Sequence, residues 1–405
     1  MPSDKKINTE SEKIFNINEL ITLKLIKGKT ILLVEDEEFK HCKHLLLNID
    51  TEDLEKYSDI RSIDALSENI KSAPEIDQID PETEFWGHCS NISAWVENEY
   101  NTDLLHRNLA FPLLKILSKK GDMIAKKKFK EEIARRYKKG SYLVQAYLFE
   151  EGYLSYLSKE EIISGILSPN DAIFMERLMR SGETYSLIPC FDLIRDIDRG
   201  NRFFFSIENG KIKEVEIVIN EILHFIPHEI EDLERIYRLD IVITADSRNI
   251  FEEEFHSHSK LDLRIFCIDD KANVYLPDLF YYFSNLEKLE IRGFNCHPTL
   301  QLEDSLLNIK GLKYLSLSNI RLDYLPNSIG TQEELCILEL QGLPMKKIPV
   351  SIILNLASLE VLDLRFNLNL NLSEIDKNRL KNKLKKFTYF DKSNWTIEEK
   401  HWLSK

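Results

Sequence analysis

The chain of 405 residues is 43% hydrophobic and 30% charged, which is enough apolar matter for two or three packed domains and too much for a disordered chain. Its net charge of −14 argues against nucleic acid as a partner, because a phosphate backbone is held by a basic stripe that displaces counterions. No apolar run approaches the roughly 20 residues of a membrane-spanning helix, the polar opening MPSDKKINTESEK lacks the apolar core of a secretory signal, and six cysteines without a CxxC pair read as reduced thiols. The expectation is a cytoplasmic protein with no membrane span and no cofactor or metal.

Along the chain, residues 15 to 47 alternate Leu23 and Leu25 with Thr22 and Lys24, turn at Gly28 and resume at Ile31 to Val34, the period of a β-hairpin leading into further strand. A helix is expected between Thr51 and Ser72. With the preceding strands it makes a small N-terminal α+β unit over 1–80, closed by the polar stretch 72–84. From Glu84 to Leu187 the spacing turns helical, with Leu104, Leu105, Leu109, Leu113, Leu114 and Leu117 and then Ile124, Phe129, Ile133 and Tyr137 recurring at three and four. Pro112 is expected to break or kink the first of these helices, while Ser158 and either Ser168 or Asn170 have the chemistry of caps. This makes a helical domain over 81–200.

The last part, 201–405, repeats. Leu286, Leu289 and Ile291 fit the pattern LxxLxL, as do Leu312, Leu315 and Leu317, then Leu335, Leu338 and Leu340, then Leu359, Leu362 and Leu364; the middle leucines advance by 26, 23 and 24 residues. That period belongs to leucine-rich repeats, in which each short strand buries its leucines only against its neighbours. Leu325-Pro326-Asn327-Ser328-Ile329 is echoed by Ile348-Pro349-Val350-Ser351-Ile352 at 23 residues, as a convex segment between strands would be. Leu263 with Ile265, Ile241 with Ile243 and Val215 with Ile217 continue the phase backwards, and Leu384 and Phe387 forwards, for about eight turns over roughly 205–395. TIEEKHWLSK is expected to cap the end. The asparagine that normally follows the strand is found only as Asn367, with Phe294, Ile320 and Leu343 in its place elsewhere. The expected fold class is α+β, ending in a leucine-rich-repeat solenoid of the α/β horseshoe type.

The string Glu84-Phe85-Trp86-Gly87-His88-Cys89-Ser90-Asn91, then Trp95, LLHRNLAFPLLKIL and AKKKFKEEIARR, resembles a segment of archaeal leucine-rich-repeat proteins in which a similar region precedes the repeats. The LPxSIG segment from Leu325 to Gly330 resembles cytosolic repeats of the Ras-associated and plant disease-resistance class. The first resemblance implies the architecture and the second the repeat class; neither implies a mechanism.

Cys89 with His106 as its base is the one thiol constellation from which a nucleophile could be assembled, and a thiol-dependent enzyme recruiting substrate through its repeats is the alternative reading. The simpler reading is that Trp86, Cys89 and Trp95 are core. His41-Cys42-x-His44 has metal-ligating residue types but no second half, so a structural role is favoured, and His256 and His258 offer less still. Lys115, Lys119, Lys120, Lys126, Lys127, Lys128, Lys130, Arg135, Arg136, Lys138 and Lys139 have the composition of a docking face for acid or membrane, and equally of a solvated helix. GKT at 28–30 lacks the upstream glycine of a phosphate loop.

The main expectation is a non-enzymatic scaffold. Side chains alternate along a strand, so residues between the leucines point to the concave face. In register these are Arg264, Glu290, Ser316, Glu339 and Asp363, beside them Phe266, Arg292, Ser318, Gln341 and Arg365, flanked by Lys288, Tyr314 and Phe366. Tyr, Phe and Arg among acids suit recognition of a protein partner.

Overall fold

The fold is taken from a computed structural model. It describes residues 12–40, 62, 65, 79–181, 186–190 and 202–389, the last range with short interruptions at 222, 247–249, 252–259, 269–273, 277–278, 295, 301–308 and 310. The helix expected between Thr51 and Ser72 (almost wholly), the His41-Cys42-x-His44 cluster, His256, His258 and the TIEEKHWLSK cap lie outside the described residues. The chain forms two compact units, Met1–Arg135 and Arg136–Lys405.

In the first unit, β1 (Lys13–Asn16), β2 (Ile21–Ile26), β3 (Lys29–Val34) and β4 (Glu37–Glu38) form an antiparallel meander in chain order. The expected hairpin is β2 to β3, with Leu23 opposite Leu32 and left-handed backbone at Lys27 and Gly28 making the tight turn. Ile21, Leu23 and Leu25 of β2 are buried, and α1 (Pro81–Glu97) packs on β2 and β3. Phe85, Cys89, Ile92 and Trp95 are its buried stripe, at the spacing that puts residues on one helical face. The chain then passes a short 3-10 turn at Thr102–Leu104 into α2 (Arg107–Lys119), which runs unbroken through Pro112. Tertiary packing overrides the proline: Ala110, Phe111, Leu113, Leu114 and Leu117 are all buried around it. Leu104 and Leu105, expected in this helix, precede it. The third long helix, α3 (Met123–Lys139), buries Ala125, Phe129 and Ile133 and carries the boundary between the units.

The second unit continues with α4 (Tyr142–Glu150), α5 (Lys159–Ile166) and α6 (Pro169–Ser181). Ser158 caps α5 as expected, in a full capping box with Glu161. A ten-stranded sheet follows, formed by β5 (Ser186–Pro189), β6 (Arg202–Glu208), β7 (Lys211–Ile219), β8 (Arg238–Ile243) and β9 (Leu261–Cys267). After the minor strand β10 (Tyr275–Leu276) and helix α7 (Leu279–Tyr282), it resumes with β11 (Leu286–Gly293). Past β12 (Thr299–Leu300), which pairs with β10, come β13 (Tyr314–Ser318), β14 (Ile337–Gln341), α8 (Val350–Asn355), β15 (Val361–Asp363), α9 (Glu374–Lys383) and β16 (Lys386–Thr388).

From β7 to β16 the sheet strands are parallel neighbours in chain order, eight in all. Val215, Leu239, Leu263, Leu289, Leu315, Leu338 and Leu362 form one inward column, with Phe387 paired to Leu362 at its end. Each of the seven aliphatic members is at most 1% exposed, a burial that stabilises by about 1.5–3 kcal/mol per side chain. The sequence-derived phase needs one correction. Leu263 pairs with Leu239, and Ile241 with Ile265, so the repeat phase read from spacing is slipped by two residues at Ile241, a slip that preserves which side chains face inward. The first expected turn, at Val215 and Ile217, is β7, where the parallel series begins, while β6, which overlaps the start of the expected span at 205, runs antiparallel to it.

Both ends of the series are closed by polar contacts. At the β6–β7 turn, Gly210 has a left-handed φ of 80° and accepts from the Ser168 N–H at 2.7 Å. A Cβ there would lie 3.0 Å from the Ile166 carbonyl oxygen. The buried Asp171, in the first turn of α6, accepts from Ser168 Oγ and from the Ile212 N–H of β7. Buried Gln145 of α4 donates to the Tyr137 carbonyl at 2.9 Å and the Ile207 carbonyl at 3.4 Å. At the other end, Lys383 donates to the carbonyls of Ile353, Leu354 and Leu356, which closes the C-terminus of α8. Burial lowers the pKa of that ammonium. Among the described residues no helix is long and apolar enough to cross a membrane.

Asn367 does what its position implied. Its Oδ1 accepts from Leu343 N at 2.7 Å and its Nδ2 donates to Leu340 O at 2.6 Å and Leu364 O at 3.0 Å. Two repeats earlier in the stack a similar task is taken by a residue the consensus does not mark: Asn319, left-handed at φ 52°, donates from Nδ2 to Gly293 O at 3.2 Å. We expect Asn367→Ala to destabilise the repeats by about 2–4 kcal/mol, since it leaves one buried donor and two acceptors unmet. Urea unfolding checks this, and a change below about 0.5 kcal/mol would mean water replaces the amide.

Candidate binding face

The face of the sheet opposite the leucines is built by strand alternation alone. Glu290 of β11 pairs laterally with Arg264 and Ser316, and Ser316 with Glu339, which pairs with Asp363. The next column runs Phe266, Arg292, Ser318, Gln341. The flanking column runs Lys288, Tyr314, Ile337, Val361. The structure therefore brings the sequence-marked residues together in the expected register. Arg365 and Phe366 fall just beyond β15, and Phe366 has left-handed backbone at φ 64°, so it ends the strand instead of continuing a column.

Sequence reasoning missed the continuation of this face onto β7 and β8. Glu214, Arg238 and Asp262 extend the flanking column, and Glu216 and Asp240 extend the central one. Arg238 is the hub there. It donates from Nε and Nη2 to the two Asp240 oxygens at 3.0 and 2.6 Å, and its Nη1 lies 3.5 Å from Glu214 Oε1. Ser206 Oγ donates to the other Glu214 oxygen at 2.6 Å. All four groups are buried. The alternation in Glu214-Val215-Glu216-Ile217 carried the signal, but the two-residue slip at Ile241 hid the lateral partners.

Further along, Glu290 Oε2 is 3.7 Å from Arg264 Nε and 3.8 Å from Lys288 Nζ, and its Oε1 is 3.7 Å from Arg292 Nη2. Lys288 Nζ also lies 4.4 Å from the Tyr314 ring centroid. The Tyr314 hydroxyl donates to Glu339 Oε2 at 2.7 Å, and burial together with that carboxylate pushes its pKa up to about 12. It stays a donor at every physiological pH. Asp363 accepts from Arg365 Nε at 2.9 and 3.0 Å and from Gln341 Nε2 at 3.0 Å. Burial raises the Asp262 pKa against the opposing pull of Lys288 and Arg264.

The thiol candidate is not assembled into a site. Cys89 is buried in the stripe of α1, and burial pushes its pKa up to about 11, opposite to what a nucleophile needs. His106 is the cap of α2, its Nδ1 accepting from Asn108 N at 3.3 Å. His88 lies 3.4 Å from Glu84. Trp86, expected in the core, is instead 46% exposed on α1, its ring edge-on to Phe15 with centroids 5.9 Å apart. Within the basic run, Lys120 pairs with Glu35 at 3.0 Å and Glu37 at 3.1 Å, Lys128 with Glu131 at 3.1 Å and Arg135 with the buried Glu132 at 2.7 Å. Lys138 donates to the Leu167 carbonyl at 3.1 Å. Much of that charge is neutralised within the fold. Among the described residues no group of three or more His, Cys, Asp or Glu side chains could hold a metal ion.

No protein-family model matches the chain, and no curated protein matches it. Solved structures match part of it. The Arabidopsis receptor kinase HAESA, in complex with a peptide hormone and a co-receptor, is 20% identical over 44% of this chain and 30% of that one, with a TM-score of 0.30. A leucine-rich-repeat protein of Leptospira interrogans is 17% identical over 47% of this chain and 61% of its own, at a TM-score of 0.23. The leucine-rich repeat domain of the type III effector XopL is 16% identical over 63% of this chain and 92% of that one, at 0.30. The chain thus spans less than two thirds of the length of the first two.

Two outcomes follow from this geometry. Arg238→Met strands two buried carboxylates and is expected to cost about 3–5 kcal/mol, most of it regained when Glu214→Gln and Asp240→Asn are added. Urea unfolding of the three-site variant at or below the stability of the single one would contradict it. Native Cys89 is expected to resist iodoacetamide at pH 8, because its thiol is buried and protonated below about pH 11. Site-resolved mass spectrometry that finds Cys89 alkylated as fast as a free thiol would restore the nucleophile.

Proposed function

We propose that residues 201–405 form a leucine-rich-repeat solenoid whose sheet is its concave face, and that the chain is a non-enzymatic scaffold binding a protein partner there. The divisions at 80 and 200 belong to the same reading. So does a cytosolic location, where the buried thiols Cys89, Cys190 and Cys267 stay reduced.

One observation carries the proposal. Lys288, Tyr314 and Gln341 on three parallel strands, with Arg365 just past the end of a fourth, lie on one face of the sheet, held by hydrogen bonds and ring contacts to their neighbours. Aromatic and guanidinium groups ordered before the partner arrives lose less entropy on binding and are the usual energetic centre of an interface. A catalytic site would instead show a poised acid, base or nucleophile in reach of its partners, and the thiol best placed by sequence is buried and protonated.

Affinity purification with the full chain, followed by titration of the purified partner, tests this. The triple change of Arg292, Tyr314 and Arg365 to Ala is expected to weaken binding about a thousandfold, on the scale of two interface anchors at about 2 kcal/mol each. Unchanged affinity in a folded triple variant would move the site off this face.

A further inference from the structure

The helix α4 departs from the rule that a surface helix keeps its apolar residues on one side. From Gly140 to Phe149 the chain carries no charged residue, yet of α4 only Gln145 and Leu148 are buried. Four large apolar side chains face water instead: Leu143 is 76% exposed, Tyr142 56%, Tyr147 50% and Val144 38%. At 3.6 residues per turn, Leu143 and Tyr147 form the line opposite Gln145 and Leu148, and the Tyr147 ring is steadied by Tyr153, their centroids 5.7 Å apart. A contiguous apolar patch rimmed by polar groups marks a contact surface.

Opposite charges bracket the patch. Lys139, the last residue of α3, precedes it, and Glu150 and Glu151 close it. All three are exposed, and among the described residues none of the three side chains makes an ion pair. The two carboxylates also stand at the C-terminal end of α4, where the helix dipole disfavours negative charge. A cation brought there from outside relieves that cost.

This surface is complementary to itself. Laid antiparallel on a second copy and centred at the level of Gln145, Leu143 of one helix meets Tyr147 of the other, and the Lys139 end of each meets the Glu150-Glu151 end of its partner. A two-fold pairing of one patch with itself is the commonest form of assembly, and interfaces between identical chains are the more apolar class. An anionic lipid surface fits less well, because the two exposed carboxylates would face it.

We propose that α4 is the contact of a two-fold homodimer, in which Tyr142, Leu143, Val144 and Tyr147 pack on the same residues of a second copy and Lys139 pairs with Glu150 and Glu151 of that copy. The helix is about 14 Å long and about 10 Å wide, a footprint below the roughly 800 Å² per partner of a standard interface. The dimer is therefore reversible, dissociating in the micromolar range. It stands independently of what the sheet binds. Joined to the scaffold reading, it doubles the number of sheet faces in one assembly, so that a partner with two binding segments gains through avidity.

Sedimentation equilibrium of the full chain across the micromolar range tests this. The unaltered chain is expected to pass from monomer to dimer as concentration rises. Leu143→Glu with Tyr147→Glu, both at exposed positions, is expected to weaken association by about tenfold or more, with melting temperatures confirming that the variant folds. Lys139→Glu alone, and Glu150→Lys with Glu151→Lys alone, should each weaken the dimer by setting like charges together, and all three changes combined should restore it. A chain that stays monomeric throughout, a dimer indifferent to the Leu143 and Tyr147 changes, or charge reversals whose combination restores nothing overturns the proposal. So does a monomer that uses α4 to bind anionic vesicles or a different protein, which would leave the patch a docking surface with another occupant.

Discussion

A β-strand one repeat long has nothing to bury its leucines against except the strands beside it, and everything else in residues 211–388 answers to that constraint. Leu239, Leu263, Leu289, Leu315, Leu338 and Leu362 are fully or almost fully buried because each is walled by the same residue one repeat away. Stability of this kind is propagated between neighbours, so the terminal strands need closure by something that is not another repeat. Here the closure is polar and specific. Asp171 and Gly210 tie α6 to the β6–β7 turn at one end, and Lys383 ties α9 to α8 at the other. β6 itself, antiparallel to β7, marks where repetition stops.

With the inward face fixed by packing, the composition of the opposite face is free to vary. Its carboxylates are paired in place before anything binds: Asp240 by Arg238, Asp363 by Arg365, Glu339 by Tyr314. Buried ion pairs of this kind contribute little net stability compared with apolar packing. Their consequence is geometric, for each carboxylate holds a guanidinium or a phenol in one orientation. The result is a surface whose guanidinium and phenol groups are preorganised, on strands whose other side is core.

The parts of the fold that were legible in the sequence were those governed by a strict period. Leu286 to Leu364 gave the repeats, and the two-residue alternation of a strand gave the face and its lateral register from Arg264 to Asp363. The signal weakened where the period did. In β8, Arg238-Leu239-Asp240-Ile241-Val242-Ile243 is apolar at four of six positions, so a slip of two fits the pattern equally well, and with it the Glu214, Arg238 and Asp240 cluster went unseen. The direction of β6 is set by a two-residue Asn209-Gly210 turn against long-range pairing, which period cannot report. Asn319 escaped notice because it stands one place before the consensus asparagine. The burial of Cys89 was legible for a simple reason: its spacing from Phe85, Ile92 and Trp95 is that of a buried helical face.

The claim that most needs direct evidence is that the partner sits on this sheet. Other exposed aromatics exist, notably Tyr142 and Tyr147 of α4, and Tyr281 and Tyr324. Hydroxyl-radical footprinting of the free chain against its partner complex distinguishes them. The account predicts that oxidation of Phe266 and Tyr314 falls on binding while that of Tyr281 and Tyr324 does not change. Protection of Tyr142 and Tyr147 with Tyr314 unaltered would contradict it and place the interface on the helices.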